Sequence, residues 1–170
     1  MSSRLIVTDH PQEWATSISD VEVIAPQDYF SNEIFQKNRK YKVINLCKSY
    51  LYQSLGYYVS LLAEARGHKV MPEVSTLQEF RYPSFVREDA EDFDELIQQE
   101  LKKVEGEKIE LYICFGKSDL TTSSRIGNLI FNLFQVPMMK AVFNRKEKWL
   151  LSSLKPLNLK ELPIEKLDLL

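Results

Sequence analysis

The 170-residue chain has little of the material that small proteins use to staple themselves or to hold metals. Cysteine occurs twice, at Cys47 and Cys114, and histidine twice, at His10 and His68. Both cysteines lie inside apolar, strand-like runs and read as reduced, buried thiols of a cytoplasmic protein. Four such scattered residues make no zinc-ligand spacing. An excess of one charge is also missing, since 22 Lys+Arg against 24 Asp+Glu leave a net charge of −2. That balance argues against a nucleic-acid binder driven by bulk electrostatics and against a polybasic membrane-surface protein. No apolar run approaches the ~20 residues of a membrane span. The opening MSSRLIVTDH lacks the apolar core of a signal peptide. There is no GxGxxG after any strand, no internal repeat and no low-complexity segment. Gly116-Lys117-Ser118 has the look of the end of a phosphate-binding loop, but the upstream glycine that shapes the backbone N–H cradle is absent.

What is present is ordinary globular material. Apolar residues make up 44% of the chain, and a chain of this length buries roughly 70% of the surface it exposes when unfolded. Apolar runs at 5–7, 21–25, 41–47 and 69–71 predict strands. Leu55, Tyr58, Val59, Leu62 and Ala63 share one helical face, and Gly67 supplies the stop. Leu77 and Phe80 suggest a short helix. Phe93, Leu96, Ile97, Leu101 and Val104 mark another, with Glu88, Asp89, Glu91 and Asp92 crowding its start and Lys102 and Lys103 near its end, as the helix dipole favours. Ile109–Phe115 is almost continuously apolar and predicts a strand covered on both faces, as in a parallel sheet. A helix over Ile126–Phe134, a strand over Met138–Phe143 and an NRKEKW hairpin turn come next. The alternation predicts an α/β fold with a three-layer, mostly parallel sheet and an antiparallel edge hairpin. The expected organisation is one α/β domain over residues 1–154 and a connector or partner-facing tail over 155–170.

In open α/β sheets, ligands sit beyond the carboxyl ends of the strands. Two polar loops fall at such ends, Lys48–Gly56 and Gly116–Ser124. Both lead into helix N-termini, whose free N–H groups favour an anion. Lys48 and Lys117 add charge to these loops, and Ser49, Ser54, Ser118, Thr121, Thr122, Ser123 and Ser124 add hydroxyl donors, which makes them candidates for a polar ligand site. The same hydroxyls are also ordinary helix caps, and Tyr57 and Tyr58 fit a helix face, so capping alone stays an open alternative. Cys47 beside Lys48 and a helix start has the setting of an activated thiol, and a buried strand thiol is the competing reading. No residue set forms a self-contained catalytic constellation.

The stretch YKVINLCKSYLYQSLGYYVSLLAEARGHKV resembles the N-terminal domain attached to RimK-like ATP-grasp ligases. FGKSDL, the helix before Gln135-Val136-Pro137, and KWLLSSLKPL are similar to later parts of that domain, so the likeness runs from Leu5 to Leu159. In such ligases a separate ATP-grasp module holds ATP and magnesium and activates a carboxylate as an acyl phosphate, which an amine then attacks. The N-terminal domain packs against that module on the substrate side. The module's lysines, glycine-rich loop and acidic residues have no counterpart here. The resemblance therefore implies an accessory domain, not catalytic alone and with no cofactor of its own, whose substrate-facing loop is Asn45, Cys47, Lys48, Tyr50, Tyr52, Ser54 and Tyr57. Its implied partners are an ATP-grasp module in cis or trans and a small carboxylate or amino acid, with a homo-oligomer also allowed. The alternatives are a free-standing α/β interaction module with no ligand and a small redox protein using Cys47.

Overall fold

A computed structural model of the chain describes residues 4–13, 21–38, 40–82, 93–120, 124–163 and 165–166. The chain divides into two compact units, Met1–Leu77 and Gln78–Leu170.

The first unit is built on four short parallel strands: β1 (Arg4–Val7), β2 (Val21–Ile24), β3 (Lys42–Asn45) and β4 (Lys69–Met71), in the order β2-β1-β3-β4. Pro26, which ends the apolar run of β2, is the first residue of helix α1 (Pro26–Ser31), where its fixed φ suits the first turn. Asn32 then caps α2 (Glu33–Lys37), its Oδ1 accepting from the Ile34 N–H at 3.0 Å. The predicted amphipathic helix is α3 (Leu55–Ala65). It ends in a Schellman-type turn, with the His68 N–H donating to the Ala63 carbonyl and Gly67 at φ 74°. Helices α1 and α3 pack side by side. Their inward residues join Leu5, Val7 and Val43 of the strands in one apolar cluster containing Tyr29, Val59 and Ala63.

The second unit corrects the expectation of one mostly parallel sheet. Its four strands, β5 (Lys108–Cys114), β6 (Lys117–Ser118), β7 (Met138–Arg145) and β8 (Trp149–Pro156), form a separate antiparallel sheet ordered β6-β5-β7-β8. Ile109–Phe115 suggests a parallel strand because its apolar run hardly alternates. Leu111, Ile113 and the neighbouring Cys114 are all buried, so the run gives no sign of direction. The next two residues set it. Phe115 (φ 48°) and Gly116 (φ 85°) close a two-residue hairpin that sends the chain straight back as β6. The NRKEKW hairpin is present as the β7–β8 turn.

A short α4 (Val74–Glu79) spans the division between the units, and α5 (Asp94–Leu101) and α6 (Ser124–Phe134) belong to the second. Ile97 and Leu101 of α5 and Ile126, Ile130 and Phe134 of α6 form one core with Leu111 and Phe143 of the sheet. The acidic residues Glu88, Asp89, Glu91 and Asp92 lie outside the described residues. Past β8, Leu157 and Leu162 are buried, and Lys166 reaches Asp119 at 2.8 Å.

Candidate functional site

The order β2-β1-β3-β4 fixes where a crevice can open in the first unit. The chain leaves β1 towards β2 on one side and leaves β3 towards β4 on the other. The carboxyl ends of β1 and β3 are therefore the switch point of this sheet, the position where doubly wound folds bind ligands. The Leu46 N–H donates to the Val7 carbonyl at 2.8 Å, so the two strand ends stay paired up to the loop. The first candidate loop starts at that point.

Its residues divide into an inner and an outer set. Asn45 is fully buried, and its hydrogen-bonding groups are used internally. Nδ2 donates to the Gly56 carbonyl at 2.7 Å and to Ser60 Oγ at 2.9 Å, and Oδ1 accepts from the Cys47 N–H at 3.2 Å. The Tyr50 hydroxyl donates to the Asn45 carbonyl at 2.7 Å. Ser54 Oγ donates to the Ser49 carbonyl at 2.8 Å and accepts from the Tyr57 N–H, which makes it the N-cap of α3. These bonds stitch the loop to the helix start. Gly56 completes the fit, because a Cβ there would run into the Ser49 carbonyl oxygen and come within 2.8 Å of Cys47 Cβ. Cys47 is buried with its thiol directed at the Val7 carbonyl, 3.8 Å away. Burial, with the Asp9 carboxylate adding to it, pushes the Cys47 thiol well above the usual thiol range. Burial likewise raises the Tyr50 phenol, with Cys47 and Asp9 adding to it. Both groups are held neutral, which is the opposite of an activated nucleophile.

The outer set is Lys48, Tyr52 and Tyr57. Lys48 is exposed, and its backbone N–H donates to the Asp9 carboxylate at 2.6 Å. Tyr52 is 58% exposed, and its ring meets Tyr57 edge-on at 5.2 Å. Asp9 is a residue the sequence reading missed. As part of Asp9-His10-Pro11 it fits a turn, and nothing in the sequence reveals that β1 lies beside β3. The loop after β3 thus carries Lys48, Tyr52 and Tyr57, and the Asp9 carboxylate just past β1 is bonded to its backbone.

Lys117 and Ser118 do not belong to such a place. They form β6, the returning arm of a hairpin at the edge of an antiparallel sheet, and they lie in the second unit. Ser118 Oγ donates to the Leu120 carbonyl at 3.0 Å. The expected strand-end loop there is a hairpin because Phe115 and Gly116 take the left-handed conformation that reverses the chain. Thr121, Thr122 and Ser123 lie outside the described residues. Cys114 is buried, and burial raises its thiol to about 11.

Among the described residues, no three His, Cys, Asp or Glu side chains converge to hold a metal ion. The Gly116-Lys117-Ser118 stretch is the turn and returning arm of a hairpin, not a phosphate-cradling loop. No described helix is long and apolar enough to cross a membrane.

The model of one family, the RimK-like ATPgrasp N-terminal domain, matches residues 26–170. The chain belongs to this family. The match begins at α1 and so covers the first unit of this RimK-like N-terminal domain without β1 and β2, and the whole of the second. It confirms the resemblance carried by the Tyr41–Val70 stretch, over residues 26–170 in place of the expected 5–159. Comparison with curated proteins gives no match.

Proposed function

We propose that this RimK-like N-terminal domain is the accessory, substrate-binding and docking part of an ATP-dependent carboxylate–amine ligase. It would present an amino acid or small carboxylate to an ATP-grasp module in cis or in trans. The observation that carries the reading is the position of Lys48 and Tyr52 at the β1/β3 switch point, with Asp9 tied to the same loop. An ammonium on the loop after β3 and a carboxylate just past β1 suit a zwitterion: Lys48 takes the ligand carboxylate, Asp9 its amine, and Tyr52 covers it. ATP and magnesium would stay with the partner module, which supplies the acyl-phosphate chemistry. The proposed setting is the cytoplasm, in keeping with two buried, reduced thiols.

Calorimetry of the isolated chain tests this reading. Titration with glutamate and with other amino acids is expected to give weak heats that Lys48→Ala and Tyr52→Ala abolish. Tight binding of magnesium-ATP to the chain alone would contradict it.

A second reading, an interaction module with no ligand, is favoured by one observation. The polar groups of Asn45, Tyr50 and Ser54 are spent on the loop's own bonds. It predicts no heat from any amino acid and no effect of either substitution. The redox reading of Cys47 is disfavoured by its burial and raised thiol.

A further inference from the structure

The amino ends of the parallel strands carry a row of cations. The register sets Arg4 of β1 beside Lys42 of β3, and Lys42 beside Lys69 of β4. Leu5, Val43 and Val70 of the same strands form the face that packs on Val59 and Ala63 of α3. Side chains alternate along a strand, so the three cations share the other face. All three are exposed. Neighbouring strands lie ~4.8 Å apart, so the row sets three positive charges side by side over ~10 Å. Among the described residues, no acid pairs with any of them. The fourth strand, β2, brings Val21 to the row, and its one acid, Glu22, is in register with Leu5 and falls on the helix-packed face. Elsewhere Lys37, Lys108, Arg125, Lys140, Lys148 and Lys166 each reach a carboxylate. Adjacent like charges repel, and this row holds no group that offsets the repulsion.

We propose that this row is a docking site for an acidic helix of a partner protein, laid across the strands with its carboxylates facing Arg4, Lys42 and Lys69. Charge complementarity names the chemistry, since an uncompensated positive row is matched by a negative one. The spacing suits a helix. Side chains three or four residues apart on one helix face are ~5–6 Å neighbours, and residues i and i+7 are ~10 Å apart along the axis. Those distances repeat the pitch and the length of the row. Ile44 and Met71, each two residues along from a cation on the same face, are half-buried and give the charges an apolar margin. Polyanions suit the row less well. The chain's net charge of −2 opposes a nucleic acid beyond contact range, and a polybasic membrane site uses about four to eight cations. The row lies at the opposite ends of the strands from the β1/β3 loop. The inference therefore stands whether or not that loop binds an amino acid.

Fluorescence anisotropy tests it, with the full chain titrated into a labelled, alanine-rich helical peptide that carries glutamates at i, i+4 and i+7. Binding with a Kd of about 10–100 µM is expected at ~50 mM salt, weakening at least fivefold at ~300 mM as screening sets in. A peptide of the same composition with its glutamates spread round the helix is expected to bind at least fivefold more weakly. Lys42→Glu, in the middle of the row, is expected to weaken binding of the first peptide at least tenfold. The same substitution is expected to raise the thermal midpoint of the chain, because it ends the repulsion along the row. A first peptide that does not bind, or binds no better than the second, overturns the proposal. So does Lys42→Glu that leaves binding unchanged or lowers the midpoint. Tighter binding of a uridine oligonucleotide or of phosphatidylserine vesicles than of the first peptide overturns it as well.

Discussion

At the scale of single residues, the loop after β3 is held by contacts that a sequence does not display. Asn45 and Ser54 read from composition as ligand donors, yet their hydrogens turn inward to Gly56, Ser60 and Ser49. Gly56 reads as an unremarkable helix residue, yet it is the point of closest approach between helix and strand end. Gly56→Ala is therefore expected to destabilise the first unit by ~2–3 kcal/mol, as overpacking against backbone does; urea unfolding measures it. His68 gives a residue-scale prediction in pH. It is buried, with Nδ1 bonded to the Tyr29 phenol and Nε2 to the Asn38 carbonyl at 2.8 Å each. Burial lowers its affinity for a proton, and the nearby Arg66 guanidinium adds to this, against the Asn38 carbonyl and a bond to the Phe35 backbone. As pH falls through ~6.5 the unfolded chain takes up a proton that the folded histidine refuses. Stability contributed at neutral pH is thus lost on acidification through that window and is regained as pH rises. Unfolding free energies measured from pH 7.5 to 5 should decline for the wild type and flatten for His68→Gln.

At the scale of elements, hydrophobic periodicity located the longer of the described helices, α3, α5 and α6, and turn chemistry decided where it misled. A continuous apolar run cannot distinguish a parallel strand from an antiparallel one whose second face is also covered. The β5–β6 hairpin hinges on Phe115 at φ 48°, a residue that gives no turn signal of its own. Edge strand β8 has a comparable hidden device. The Gln98 side chain of α5 accepts from the Trp149 N–H at 2.9 Å and donates to its carbonyl at 2.7 Å, as a neighbouring strand would. Gln98→Ala is expected to cost about 1–3 kcal/mol and to raise the hydrogen-exchange rate of the Trp149 amide. Helix α6 ends with Gln135 at φ 48°, its N–H donating to the Phe131 carbonyl at 2.7 Å. Glycine adopts that conformation without a Cβ penalty. Gln135→Gly is expected to raise stability by about 0.5–1 kcal/mol, visible as a higher thermal midpoint.

At the scale of the whole molecule, family membership was legible in the Tyr/Ser loop and the EARGHKV helix end, because both keep a specific order of unusual residues. The division into one parallel and one antiparallel sheet was not legible, since strand order depends on contacts distant in sequence. The switch point at β1 and β3, and Asp9 with it, emerged only from that order. The account depends on this point being a place where a small zwitterion docks. Amide chemical shifts of the isotopically labelled chain, tracked during titration with glutamate and separately with magnesium-ATP, test it most directly. The account predicts that glutamate moves the resonances of Asp9, His10 and Lys48–Tyr57 while magnesium-ATP moves none strongly. Saturable perturbation by magnesium-ATP, or glutamate shifts that bypass this loop, would contradict it.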